Sequence, residues 1–218
     1  MPTRLDLHFK VRDFGRALTQ SDIHEIYAMY GESTKRNTND QIGMLGIGSK
    51  SAFAYGDNFV INSFVNGRKH SYNAFIDPSQ VGQIAKLSEL PTDEPDGLEI
   101  VVPVQEDDVD EFQDKAYDMF KLFKIKPKVL GGNPESFKRA EEDERTLFSG
   151  DDWEYLLNQD QRDYNGYHSN NGAVAIMGNI GYPINARSLG NISDSLSELV
   201  NSELRIEFPI GDLEIAAN

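Results

Sequence analysis

No cysteine occurs among the 218 residues, which excludes disulfides, thiolate metal sites and cysteine nucleophiles, and accords with a reducing compartment. Long apolar runs are missing as well. No segment approaches the ~20 apolar residues that a membrane-crossing helix needs, and residues 1–20 lack the apolar core of a signal peptide. A soluble protein of the cytoplasm is therefore expected, the host cytoplasm if a phage encodes it. Positive charge is scarce: 21 Lys and Arg stand against 36 Asp and Glu, a net charge of −15. Such a field repels phosphate backbones at long range, so nucleic acid is not expected as a direct partner. His8, His24, His70 and His168 form no HxxH or HxxxH pair, and a metal site would have to be assembled wholly by the fold. Against these absences, 39% hydrophobic content over this length is enough to bury one large or two modest cores.

The charge is locally concentrated. Glu106–Glu111 and Glu141–Glu144 are acidic clusters and Lys121–Lys128 is a basic patch. Runs of this kind mostly form solvated faces, and the other reading is an acidic surface that occupies a host protein. Asp151-Asp152 and Asp160 with Asp163 are paired carboxylates, but no nucleophile or substrate platform accompanies them, so they read as loop residues. Trp153, Tyr164, Tyr167 and Tyr182 read as loop anchors to a core rather than as a stacking platform.

Leu5, Leu7, Phe9 and Val11 alternate with polar residues, which predicts a strand delivering Asp13-Phe14-Gly15 to a turn at its end. Thr19 with Asp22 reads as a capping box, followed by Ile23, Ile26, Tyr27 and Tyr30 at helical spacing and by Gly31 as a stop. Glu32–Gln41 is polar and reads as a flap. Then comes Gly43-Met-Leu-Gly46-Ile-Gly48 before Ser49–Tyr55, a glycine loop opening onto a helix. Glycines at this spacing let backbone N–H groups turn toward one point, and a helix N-terminus adds positive potential for phosphates. A tight loop whose glycines only serve helix packing has the same spacing. Lys50 close behind Gly48, and Lys35 and Arg36 in the flap, are positioned either to reach phosphates or to face water.

Asn66-Gly67 between Asn58–Val65 and Lys69–Ile76 predicts a hairpin, and Leu98–Val104 another strand. Val109, Phe112, Ala116, Met119, Phe120 and Phe123 predict an amphipathic helix ending at Lys124–Lys128. Gly131-Gly132 then suggests a boundary, giving units 1–130 and 131–218, and Asn133–Arg145 reads as an exposed linker. Beyond it, strands are expected over Thr146–Ser149, Trp153–Leu157, Gly172–Gly178 and Arg205–Phe208, with a helix over Ile192–Leu204. The fold class is α+β.

The order strand, Asp-x-Gly turn, helix, polar lid, GxxGxG, helix and antiparallel strands resembles the GHKL (Bergerat-fold) ATP-binding superfamily over residues 1–105. That resemblance implies an α/β sandwich of mixed, mostly antiparallel sheet with helices on one face, followed by a small α+β transducer-like module. It implies that Asp13 accepts a hydrogen bond from the adenine amino group, that Gly15 admits the base, and that Gly43, Gly46, Gly48, Ser49 and Lys50 meet the phosphates of ATP or ADP, with Mg as companion. Lys35 and Arg36 would belong to the lid. Gly97-Leu98-Glu99-Ile100 matches the family's Gly-Thr motif only in part, because the hydroxyl is missing, and Ala17 stands where the family often has a second glycine. The glutamate and asparagine of the family's preceding helix have no counterpart, so no catalytic residue is assigned and little or no hydrolysis is expected. The chain thus reads as derived from a larger protein.

Ser33-Thr34-Lys35-Arg36, Ile42–Tyr55 and Ala175–Ile184 resemble the rIIA-type proteins of tailed bacteriophages. That resemblance implies an accessory protein of infection concerned with lysis control and escape from host exclusion, with a host or phage protein as partner, or a homodimer. The alternative from a different class is an acidic interaction protein that keeps the scaffold and binds no nucleotide.

Overall fold

The computed structural model describes residues 1–28, 48–79, 81–133, 146–156 and 172–213, with the backbone alone at 26–28, 48–50 and 188. The chain forms two compact units, Met1–Asp114 with Leu130–Gly132, and Lys115–Val129 with Asn133–Asn218.

The first unit is built on a five-stranded antiparallel sheet of order β1-β5-β2-β3-β4, from β1 (His8–Asp13), β2 (Asn58–Val65), β3 (Arg68–Ile76), β4 (Gly82–Pro91) and β5 (Gly97–Pro103). β2 and β3 are joined by Asn66 (φ 53°) and Gly67 (φ 72°). These two left-handed residues match the twist of the strands, as the Asn-Gly pair leads one to expect. Registry places Val11, Ile100, Ile61 and Tyr72 in one row across the sheet, with Phe9 beside Val102 in the next. Phe59, Ile61, Tyr72 and Ala74 are buried with Val102 and with Ile23 of α1 (Gln20–Ala28). Each large side chain in this cluster contributes about 1.5–3 kcal/mol by leaving water. On the opposite face Ser71 donates to Asn62 Oδ1 at 2.7 Å and Asn62 Nδ2 donates to Glu99 at 2.7 Å, a chain that satisfies two buried polar residues.

α1 begins as the Thr19/Asp22 pattern predicts. Asp22 Oδ2 accepts the Thr19 N–H and hydroxyl, both at 2.8 Å, while Thr19 Oγ1 accepts the Asp22 N–H at 3.3 Å. The Thr19 N–H, then its hydroxyl, hold the Asp22 carboxyl below its ordinary value. A depressed carboxyl stabilises the folded state above the ordinary aspartate range and loses that contribution as pH falls through the lowered value. Acid titration is therefore expected to fray α1 before the sheet, seen as earlier loss of amide-exchange protection at its N-terminal turn. Equal loss in α1 and β2 would contradict this.

Two expectations need correction here, and one strand was not foreseen. The strand foreseen from Leu5 starts at His8, because Thr3 and Asp6 exchange two backbone bonds in a turn that leaves Leu5 wholly exposed. The helix after the glycine loop is a 3₁₀ helix, Gly48–Ala54, since only a short span separates Gly48 from Gly56 and the entry to β2. A short 3₁₀ segment carries little of the macrodipole expected of a full α-helix. β4 had no sequence signal: Ile84, Leu87 and Leu90 recur every third residue rather than every second, and a bulge where registry shifts between Ser71 and Tyr72 accommodates the mismatch.

The second unit has a mixed sheet of order β6-β7-β10-β8-β9, from β6 (Thr146–Ser149), β7 (Trp153–Leu156), β8 (Val174–Met177), β9 (Ile180–Pro183) and β10 (Leu204–Phe208). Only β8 and β10 run parallel, and their connection contains α3 (Asp194–Val200). α3 is shorter than its periodicity suggests, because Ser193 caps the Leu196 N–H and the helix ends at Asn201. β9 lacked an assignment too, although Gly178 (φ 59°) and Asn179 (φ 71°) give it a hairpin turn with β8. α2 (Val109–Phe120) contributes its first half to the first unit and its second half to the other. The acidic Glu106–Glu111 cluster lies at its N-terminal end, where negative charge complements the helix dipole.

Candidate nucleotide site

β1 ends at Asp13, and its partner in β5 is Leu98. Leu98 is in turn opposite Ser63 of β2, so Asp13, Leu98 and Ser63 share one row on the face that α1 covers. Asp13 Oδ1 accepts the Gly15 N–H at 3.0 Å, closing a local turn on the exposed carboxylate. A carboxylate has about four acceptor sites, so this bond leaves acceptor capacity for a ligand amine. Gly97 comes so close to the Asp13 backbone that a Cβ would lie 2.1 Å from its carbonyl oxygen, at a φ of +150°. From Gly15 the chain crosses the sheet to Ser63, whose hydroxyl donates to Leu18 O at 2.5 Å and accepts the Leu18 N–H at 3.2 Å. Ala17 is buried on the way.

A cleft of about 340 Å³ opens on the same face. Phe9 and Val11 of β1, Ile100 and Val102 of β5, Ser51 and Ala52 of the 3₁₀ helix, Tyr55 and Phe112 line it. Val11 is two residues before Asp13, roughly 7 Å along the strand, so the carboxylate stands beyond the apolar lining on the same side. The 3₁₀ helix is fixed over the sheet by Phe53, whose ring meets Phe59 edge-on at 4.8 Å. The arrangement is an apolar slot with an acceptor near its end, which suits a flat heterocycle carrying an exocyclic amine.

Of the residues singled out in the sequence, Asp13 ends the strand whose Phe9 and Val11 line this cleft and Gly15 follows it, neither being a lining residue, while Gly48, Ser49 and Lys50 begin the 3₁₀ helix whose Ser51 and Ala52 form one wall. Gly43, Gly46, Lys35 and Arg36 lie outside the described residues, as do the flap and Tyr164, Tyr167 and His168. The apolar lining was not foreseen as such; alternation in β1 and β5 was its signal. Among the described residues no three His, Asp or Glu side chains converge to hold a metal. His8 Nδ1 instead lies 2.7 Å from Asp6, and His24 meets the Tyr72 ring edge-on.

Comparison with solved structures decides the fold. The chain superimposes on the ATPase region of topoisomerase II from Saccharomyces cerevisiae with a TM-score of 0.50, at 11% identity, over 92% of this chain and 63% of that one. The fold is of the GHKL type. The same yeast region bound to ICRF-187 (dexrazoxane) gives 0.51, and the ATPase and transducer domains of topoisomerase II from Balamuthia mandrillaris give 0.50, both at 11% identity with 92% and 63% coverage. The chain spans about 63% of the length of those structures. No family model and no curated protein matches the sequence. Among the described residues no helix is long and apolar enough to cross a membrane.

Proposed function

We propose that this chain binds an adenine nucleotide, with the base in the apolar cleft, its amino group donating to Asp13, and the phosphates toward Gly43, Gly46, Gly48, Ser49 and Lys50. The observation that carries this reading is the placement of the Asp13 carboxylate on the same sheet face as the cleft and its 3₁₀ wall. Binding rather than hydrolysis is the proposed activity, since no carboxylate or cation is among the described residues lining the cleft to orient a water. The three sequence blocks that resemble rIIA-type phage proteins support an accessory role in infection, countering host exclusion or controlling lysis through a protein partner. Closure of Glu32–Gln41 with Lys35 and Arg36 over the nucleotide would change the surface offered to that partner.

Isothermal titration with a non-hydrolysable ATP analogue tests the reading. Wild-type protein is expected to release heat on binding, and Asp13→Asn to weaken affinity about 10- to 150-fold, the range for losing a hydrogen bond to a charged acceptor. The asparagine keeps an oxygen for the Gly15 N–H, so the turn survives and the change isolates the ligand contact. One observation favours a second reading: Leu98, directly opposite Asp13, supplies no hydroxyl to the base. On that reading the acidic protein occupies a host protein without nucleotide, and a well-folded sample gives no heat.

A further inference from the structure

We infer that Tyr55 couples the cleft to α2, so that a nucleotide seated there stabilises this helix along its whole length; the inference rests on the nucleotide reading above. Tyr55 follows the 3₁₀ helix directly, and its ring lines the cleft. Its hydroxyl donates to Asp108 Oδ2 at 2.5 Å and accepts the Gln105 N–H at 3.0 Å. The ring meets Phe112 edge-on at 4.9 Å and 88°, and Phe112 packs on Phe9 at 5.3 Å. One side chain therefore holds three points around the N-terminus of α2: the residue before the Glu106–Asp108 3₁₀ turn, the last residue of that turn, and the first inward aromatic of the helix.

The bond to Asp108 is charge-assisted and short, which places it among the stronger kinds. Burial first, then that bond, hold the phenol above its usual ionisation range, so Tyr55 remains a neutral donor at physiological pH. A ligand lying between the sheet and the 3₁₀ helix must fix the position of Ser51 and Ala52, and with them the backbone that carries Tyr55. The phenol then fixes Asp108 and Phe112. Because α2 is one uninterrupted helix, order gained at Val109–Asp114 propagates cooperatively to Lys115–Phe120, the half that belongs to the second unit. Tyr55 is thus a positioning residue that reports occupancy.

Amide hydrogen exchange on the full chain, with and without a non-hydrolysable ATP analogue, tests this. In wild type the analogue is expected to slow exchange at Lys115–Phe120 about tenfold, within the usual range of coupling between sites. Asp108→Ala, outside the cleft, is expected to bind the analogue yet lose most of that slowing, and Asp108→Asn, which keeps an acceptor, to restore it. Without any ligand, Tyr55→Phe is expected to speed exchange at Val109–Asp114 several-fold. Wild type that binds but shows equal rates at Lys115–Phe120 overturns the coupling, as does an Asp108→Ala protein slowed like wild type or a Tyr55→Phe protein with unchanged rates. Absence of binding by titration overturns the nucleotide reading and the coupling together, and is thereby distinguished from failure of the coupling alone.

Discussion

Alanine at Gly97 is expected to destabilise the first unit by about 3–5 kcal/mol, from the combined cost of overpacking and a left-handed backbone. The added Cβ would lie 2.1 Å from Asp13 O and 3.1 Å from Phe14 Cα, so the obstacle is backbone and no rotamer relieves it. β5 is also hydrogen-bonded on both sides, to β1 and β2, and any shift that frees the methyl must break one ladder. Against a typical domain stability of about 5–15 kcal/mol, this is a large fraction. Gly82→Ala is the control, since nothing lies within 4 Å of its Cβ position. Urea denaturation followed by circular dichroism should show a much lower midpoint for Gly97→Ala and a near wild-type midpoint for Gly82→Ala. Matching midpoints would mean that the strand end bearing Asp13 is not packed as described. On the nucleotide reading proposed above, any folded Gly97→Ala protein should also bind the ATP analogue less well, because the displaced backbone is that of Asp13.

This close approach shows what the sequence disclosed and what it withheld. Asp96-Gly97 reads as a turn before a strand, which it is, but that Gly97 abuts Asp13 follows only from the pairing of β1 with β5, strands far apart in sequence. Local signals read correctly where the chemistry was local: the Asn66-Gly67 hairpin, the Thr19/Asp22 cap and the amphipathic α2. They failed where a partner strand decides conformation. β4 is held by its ladder to β3 despite a three-residue apolar spacing, and most of it is exposed at the sheet edge. The short 3₁₀ helix after Gly48 illustrates the same limit, since its length is set by where β2 must begin.

The proposed site drew attention in the sequence at its two ends and not in its middle. Asp13 and the glycine-rich segment stand out as residue types, whereas Val11, Ile100, Phe9 and Val102 look like any alternating strand residues. Registry alone makes them a wall, by stacking Val11 on Ile100 and Phe9 on Val102 beside Phe112 and Tyr55. The Leu98 position is similar: the partial Gly-Thr match is visible in the sequence, and the ladder adds that this residue stands opposite the carboxylate.

Tyr72 allows the core beneath α1 to be separated into shape and polarity. The residue is fully buried, in row with Ile61 and edge-on to His24 at 6.3 Å, yet its hydroxyl has no hydrogen-bond partner among the described residues. Burial pushes the phenol above its ordinary range, with Lys86 acting in the other direction. Tyr72→Ala is expected to cost about 3–5 kcal/mol, the range for removing a buried aromatic ring. Tyr72→Phe is expected to gain about 1 kcal/mol, because it deletes a desolvated group that receives nothing in return. Urea midpoints of the two variants against wild type measure both. A Tyr72→Phe protein less stable than wild type would show that the hydroxyl is bonded, through water or another segment, and that the seat of α1 is specified by polarity as well as by fit. Opposite signs would show instead that ring volume alone fixes α1 on the sheet, and with it the Asp13-to-Thr19 crossing that α1 terminates.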